Sequence, residues 1–302
     1  MPEHVLITGA SGLIGTRLTQ LLQEKGYAVS HLGRSKKSGP VKSYTWNVER
    51  GEIDREALAA ADHVIHLAGA AVTEKRLTEA RKRLVISSRV DSTRLLADAI
   101  AGQAKKPKSF ISASAVGYYG MVTTDHIFTE SDPPADDFLG ECCRLWENAA
   151  QPIAASGVRT AFVRVGIVLS NEGGALKQLA APVRWFAGAP MGSGKQWMPW
   201  IHIEDICGIF LHLLEDARLQ GPWNAVAPNP VTNKTLTQCI ARALGRPLIL
   251  PPVPGFALRL LLGKEMAAMV LNGSRVSCEK IQQAGYRFQF ADAEKAAEDL
   301  LK

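Results

Sequence analysis

The sequence predicts an α/β protein: a doubly wound parallel sheet covered by helices on both faces, joined to a smaller, mainly helical C-terminal lobe. Three observations carry this expectation. Short apolar, β-prone runs alternate with helix-length segments from the first residues onward, which is the rhythm of βαβ units. A glycine-rich turn, Gly9-Ala10-Ser11-Gly12-Leu13-Ile14-Gly15, joins the first of these runs to the first helix. From residue 247 onward the composition changes, with Pro251, Pro252 and Pro254 leading into an apolar helix over 257–262. The 302 residues accommodate a core over 1–230 and a second lobe over 231–302, with some core segments reaching into that lobe.

Taken in order, the pattern places strands over 4–8, 28–32 and 64–67, with a helix over 13–25 between the first two. A long helix over 74–103 carries Leu77, Leu84, Val90, Leu95, Leu96 and Ile100 at broadly helical spacing and crosses back to a strand over 109–113. Further strands are expected over 160–168 and 223–226. The Pro/Asn-rich stretch 228–232 is a loop, and Thr232 is placed to cap a helix over 234–244 that Gly245 ends.

Composition narrows the function. A chain that is 46% hydrophobic and 21% charged buries a sizeable core. The net charge of +6 is mild and its basic residues are scattered without a stacking motif, which argues against a nucleic-acid partner. The cysteines at 142, 143, 207, 239 and 278 form no CxxC pair and no His/Cys ligand spacing, so neither a metal site nor a disulfide framework is expected. No run approaches the roughly 18 apolar residues of a membrane span. The first strand begins almost at once, so the expectation is a cytoplasmic protein with no membrane partner, acting on a small molecule.

The strongest local signal is the glycine turn. Gly9 and Gly12 let backbone approach a pyrophosphate, Gly15 permits close packing of helix on strand, and the helix N-terminus favours phosphate charge. The candidate dinucleotide contacts here are Gly9, Ser11, Gly12, Leu13, Ile14 and Gly15. The second strand ends at Gly33-Arg34-Ser35-Lys36-Lys37, where an NAD enzyme would place a carboxylate on the ribose diol. A guanidinium at Arg34 can instead grip a 2′-phosphate, which argues for NADP; the plain alternative is a solvated basic turn.

Several ordered blocks resemble the extended short-chain dehydrogenases: the turn at Gly9, His66-Leu67-Ala68-Gly69-Ala70, Ser112-Ala113-Ser114-Ala115-Val116-Gly117-Tyr118-Tyr119-Gly120, and Trp200-Ile201-His202-Ile203-Glu204-Asp205. The chain is most similar to the atypical "epimerase family protein" branch of the NAD-dependent epimerase/dehydratase superfamily. That branch shows Gly-Tyr-Tyr-Gly, a block like Gly192-Ser193-Gly194-Lys195-Gln196, and a C-terminal domain of unknown function resembling Pro254-Gly255-Phe256-Ala257-Leu258-Arg259 and Gly273-Ser274-Arg275-Val276. The resemblance implies a Rossmann-type fold and cofactor contacts at Gly12 to Gly15, Gly33, Arg34, Leu67, Ala68 and Arg89. Arg89 stands where ordinary extended members have an asparagine; otherwise it is an arginine on the outer side of the long helix.

Ordinary members exchange a proton through a Tyr-x-x-x-Lys pair, whose lysine charge lowers the phenol pKa. Here the tyrosine has become Phe138 and the lysine Cys142. The usual serine survives as Ser114, and Tyr118 or Tyr119 can enter the pocket in place of Phe138, with Arg89 doing part of the missing lysine's work; the alternative is that both tyrosines only pack the wall. Cys142 is a candidate thiol nucleophile, although no base is near it in sequence and a helix-face cysteine commonly packs a core. Ser193 and Gln196 are candidate substrate-side residues, or simply a turn. Trp200 and His202 serve packing and capping as well as substrate contact. Two functions follow: an NADP(H)-dependent oxidoreductase or epimerase acting on a small polar carbonyl or hydroxyl compound such as a sugar derivative, or a catalytically inactive NADP(H)-binding sensor or scaffold.

Overall fold

The computed structural model describes residues 2–72 and 76–302. Its strands in chain order are β1 (His4–Thr8), β2 (Ala28–Gly33), β3 (Lys42–Asn47), β4 (Glu52–Ile53), β5 (His63–His66), β6 (Ser109–Ala115) and β7 (Ile127–Phe128). There follow β8 (Arg159–Val165), β9 (Ile167–Ser170), β10 (Trp197–Met198), β11 (Trp200–His202), β12 (Gly221–Ala225), β13 (Val231–Thr232) and β14 (Arg275–Val276). The helices are α1 (Leu13–Glu24), α2 (Arg55–Ala59), α3 (Glu79–Ala101), α4 (Phe138–Ala149), α5 (Gln151–Ala155) and α6 (Gly174–Arg184). The later ones are α7 (Ile203–Glu215), α8 (Asn233–Ala243), α9 (Gly255–Leu262), α10 (Lys264–Leu271), α11 (Glu279–Gln283) and α12 (Ala293–Leu301).

The central sheet runs β12-β8-β6-β5-β1-β2-β3-β4, parallel throughout except for β4 against β3. Strands covered on both faces must be apolar on both, and Val5, Leu6, Ile7, Val64 and Ile65 are all fully buried. Alternation divides them. Val5, Ile7 and Ile65 join Leu18 and Leu22 of α1 and the apolar face of α7 in one core cluster. Leu6 and Val64 join Leu96 and Ile100 of α3 and Phe110 in the other. The expected doubly wound α/β architecture is therefore the observed one.

Three local expectations change. The long helix begins at Glu79, where the Thr78 hydroxyl accepts from the Arg81 N–H as an N-cap; residues 74 and 75 of the expected span lie outside the described residues. The expected strand over 160–168 is two strands, β8 and β9, parted at Gly166, where a Cβ would stand 2.2 Å from the Pro199 carbonyl oxygen. Beyond that point β9 leaves the sheet and pairs with β11. The sequence reading omitted β3, whose alternation buries Tyr44 and Trp46 and extends the parallel sheet past β2.

The later segments are tied to this sheet by polar anchors. Arg17 on α1 grips Glu204 on α7 through two bonds of 2.7 and 2.9 Å. The fully buried carboxylate of Asp205 accepts from the N–H groups of Gln289 and Phe290 at 2.8 and 3.0 Å and from the Tyr286 hydroxyl at 3.1 Å. Thr232 caps α8 by accepting from the Thr235 N–H, as its position in the sequence predicts. Asp205→Ala strands the two backbone donors, while the Tyr286 hydroxyl keeps the Asp205 carbonyl at 3.0 Å, so urea unfolding should show a loss of about 3 kcal/mol or more, since hydrogen bonds to a charged group contribute roughly 1.5–3 kcal/mol each.

Candidate functional site

The C-terminal ends of β1, β2 and β5 form one edge of a cleft. Gly9 leaves β1 at φ +69°, and a Cβ there would lie 2.7 Å from the Leu67 carbonyl carbon, so the turns after β1 and β5 can meet only over glycine. Helix α1 then starts at Gly12 with no side-chain cap, which leaves its first amides for an anion. Ser11 and Gly12 are exposed, Leu13 and Ile14 half-buried, and Gly15 buried against the turn. Gly33 ends β2 and Arg34 is exposed immediately beyond it. This constellation fits the phosphates of a dinucleotide: open amides, a permanent cation, and backbone close enough to be approached.

Arg89 lies on α3, against the turn after β5. Its Nη1 donates to the carbonyls of Ala70 and Val85 at 2.9 and 3.0 Å, and its guanidinium carbon stands 5.0 Å from the Trp146 ring centroid. Burial presses its pKa downward, while Cys142 and Cys143 push it up. Arg89 therefore borders the turn after β5 rather than the tyrosines.

The cation at the tyrosines is Arg164, which the sequence reading missed. Ser114 on β6, Arg164 on β8 and Asn224 on β12 are register neighbours across three parallel strands. Arg164 grips Glu147 of α4 bidentately, Nε to Oε1 and Nη2 to Oε2 at 2.9 Å each, and both residues are buried. The Ser114 hydroxyl donates to Glu147 Oε1 at 2.7 Å. Arg164 Nη1 donates to the Tyr119 hydroxyl at 2.9 Å, and that hydroxyl donates to Asn224 Oδ1 at 2.7 Å. Tyr119 is thus fully engaged, and burial pushes its phenol up to about 12.

Tyr118, its neighbour on the short turn Val116–Tyr119, is placed differently. It is half-buried, the Arg164 guanidinium carbon lies 3.4 Å from its ring centroid, and its hydroxyl has no hydrogen-bond partner among the described residues. Cys142 is buried, and burial raises its thiol pKa; the thiol of Cys143 is pushed up to about 12 by the same cause. Both stay protonated, which opposes the nucleophile reading. Lys82 Nζ, paired with Glu79 and Glu265, lies 5.6 Å from the Phe138 ring centroid.

Other sequence candidates prove structural. Gln196 is buried, its Nε2 donating to the carbonyls of Met191 and Val270 at 3.0 Å each. His202 is the N-cap of α7, accepting from the Glu204 N–H, and stacks on Phe290 at 3.8 Å. Trp200 Nε1 donates to the Asn229 carbonyl. Among the described residues no group of three or more His, Cys, Asp or Glu side chains is placed to hold a metal ion, and no helix is long and apolar enough to cross a membrane.

A doubly wound parallel sheet with a glycine turn after its first strand, and a serine strand end facing a tyrosine turn, defines an extended short-chain dehydrogenase type of protein. Residues 5–225 match the model of the NAD dependent epimerase/dehydratase family, and residues 253–300 match a domain of unknown function, DUF1731. The chain belongs to the NAD-dependent epimerase/dehydratase family. It is 38% identical to the epimerase family protein YfhF of Bacillus subtilis over 99% of this chain and 98% of that one. The crystal structure of the human epimerase family protein SDR39U1 with NADPH superposes with a TM-score of 0.89 at 34% identity, covering 99% of each chain. A nucleoside-diphosphate sugar epimerase from Corynebacterium glutamicum matches at 35% identity and a TM-score of 0.81, over 100% of this chain and 58% of that one.

One buried group in the cofactor wall makes stability depend on pH. Burial, with a smaller contribution from the Arg89 charge, holds the imidazole of His66 at about 3, far below its ordinary 6.5. Through that window the unfolded chain binds the proton and the folded chain does not, so stability is complete above about pH 6.5 and falls as the pH drops towards 3. The slope should reach about 1.4 kcal/mol per pH unit. Urea unfolding across the window, compared with His66→Gln, isolates this contribution: the variant should show a shallower fall.

Proposed function

We propose that this chain is an NADP(H)-dependent oxidoreductase or epimerase acting on a small polar carbonyl or hydroxyl compound, with a sugar derivative as the favoured class. The observation that carries the cofactor half is Arg34, exposed at the end of β2 beside the uncapped N-terminus of α1. A carboxylate there would repel a 2′-phosphate, whereas a guanidinium binds it. Gly12 to Gly15 receive the pyrophosphate, Leu67 and Ala68 border the same site, and Arg89 adds a second cation beside the turn after β5. When bound, the nicotinamide supplies hydride transfer.

The chain's own residues supply orientation and the proton. Ser114 has its hydroxyl proton committed to Glu147, so its lone pairs accept a hydrogen bond from a substrate hydroxyl. Tyr118, whose phenol is unengaged, exchanges the proton at its hydroxyl, while the Arg164 guanidinium against its ring holds it in place. Tyr119 acts as a strut. The protonated thiol of Cys142 at the lysine position favours a second reading, an NADP(H) sensor without turnover.

Intrinsic-fluorescence titration should show tighter binding of NADPH than of NADH, and Arg34→Ala should cut that preference about tenfold. Equal affinities in the unmutated protein would remove the NADP assignment. With a panel of aldehydes, ketones and nucleotide sugars, Tyr118→Phe should abolish NADPH oxidation without lowering the melting temperature. Tyr119→Phe should instead cost about 1–3 kcal/mol of stability, because it leaves Asn224 and Arg164 short of a partner. NADPH binding without turnover on any substrate of the panel would favour the sensor.

A further inference from the structure

His66 is fully buried between β1, β5 and α3, enclosed by the rings of Trp46, Phe110 and Trp146. Its Nδ1 lies 2.7 Å from Thr8 Oγ1, and its Nε2 lies 3.1 Å from Thr93 Oγ1 and 3.3 Å from Ser92 Oγ. The protons of this cluster can be assigned one by one. Thr8 Oγ1 accepts from the Ala68 N–H at 3.3 Å and shares the Leu67 N–H, 3.2 Å away, with the Thr8 carbonyl at 3.2 Å, so its lone pairs face these two amides. Its single proton is free for His66, so Nδ1 is the acceptor. A neutral ring with an accepting Nδ1 carries its hydrogen on Nε2. The receiving hydroxyls agree, because Thr93 donates its own proton to the Arg89 carbonyl at 2.7 Å and Ser92 donates to the Ser88 carbonyl at 2.8 Å. Both have lone pairs left for Nε2–H.

The result is a directed chain. It runs from the Leu67 and Ala68 amides to Thr8, from Thr8 to His66, and from His66 through Thr93 to the backbone of Arg89. We propose that His66 and Thr8 are positioning residues of the dinucleotide cleft, the Nε2–H tautomer of His66 fixing the Leu67-Ala68 turn against the helical turn that carries Arg89. The turn after β5 has its amides drawn inward onto Thr8. Phosphate charge is left to the amides of α1 and to the arginines. The reverse tautomer would set a bare Nε2 of His66 against two hydroxyls whose protons are already given to the helix carbonyls, and the tie to α3 would be lost.

This inference rests on the NADP(H) reading, and its test separates the two. Two-bond proton–nitrogen NMR of the unmutated, full-length chain should show His66 with a hydrogen-bearing Nε2 and a bare Nδ1, with and without NADPH. A hydrogen on Nδ1 overturns the proposal whatever the cofactor does. Thr8→Val and His66→Phe keep approximate shape while removing the chain, and each should raise the NADPH Kd about tenfold. A merely structural role would lower the melting temperature and leave that Kd unchanged, and an unchanged Kd in a folded Thr8→Val overturns the positioning role. Failure of the unmutated protein to bind NADPH overturns the cofactor reading itself, while the NMR result still decides the tautomer.

Discussion

The ion pair between Glu147 and Arg164 is the constraint on which the β6-β8-β12 end of the sheet depends. A guanidinium and a carboxylate removed from water are costly unless every remaining donor and acceptor is used. Here they are used by the structure around the site. Ser114 satisfies one carboxylate oxygen, Tyr119 takes an arginine N–H, and Asn224 takes the tyrosine proton. Because these residues come from β6, β8, β12, α4 and the tyrosine turn, the pair can be satisfied only when all five are in register. Tyr118 is held by the same guanidinium, so its placement is a by-product of the network that buries its neighbour.

The cofactor end obeys a different logic. Its charges are exposed or bordered by carbonyls rather than paired: Arg34 stands in solvent, and Arg89 finds backbone oxygens and a tryptophan ring. A cation without a carboxylate partner suits a ligand that brings its own negative charge, whereas the β6-β8-β12 end compensates its charge internally. The molecule thus separates a receptive edge, built on β1, β2 and β5, from a self-satisfied one on β6, β8 and β12.

Much of this was legible in the sequence for a physical reason. The glycine turn after β1 and the buried runs of β1 and β5 are local signals, because glycine geometry and apolar continuity depend on neighbours in the chain. Arg164 was not legible in the same way. An arginine inside the apolar run Phe162-Val163-Arg164-Val165 signals a buried charge in need of a partner. Its partner Glu147 lies in a different element, however, and only parallel register brings Ser114 and Asn224 to either side. The same limit assigned the tyrosines to Arg89: both arginines are cations near the right strand ends, and packing alone separates them. The break at Gly166 was hidden likewise, since the carbonyl that excludes a side chain there belongs to Pro199.

The Asp205 carboxylate has a consequence for the order in which the protein is made. It sits at the start of α7, inside the main core, yet its donors are Gln289, Phe290 and Tyr286, among the last residues of the chain. During synthesis Asp205 emerges more than eighty residues before these partners do. Until they arrive, the nascent core holds a carboxylate that cannot be buried without cost, so the face of the sheet under α7 stays hydrated or incompletely packed. Domains that fold from the N-terminus as they are synthesised can usually close early. Here a single acid ties the full burial of α7 to residues 286–290, so a segment far along the chain completes the core that the first strands begin.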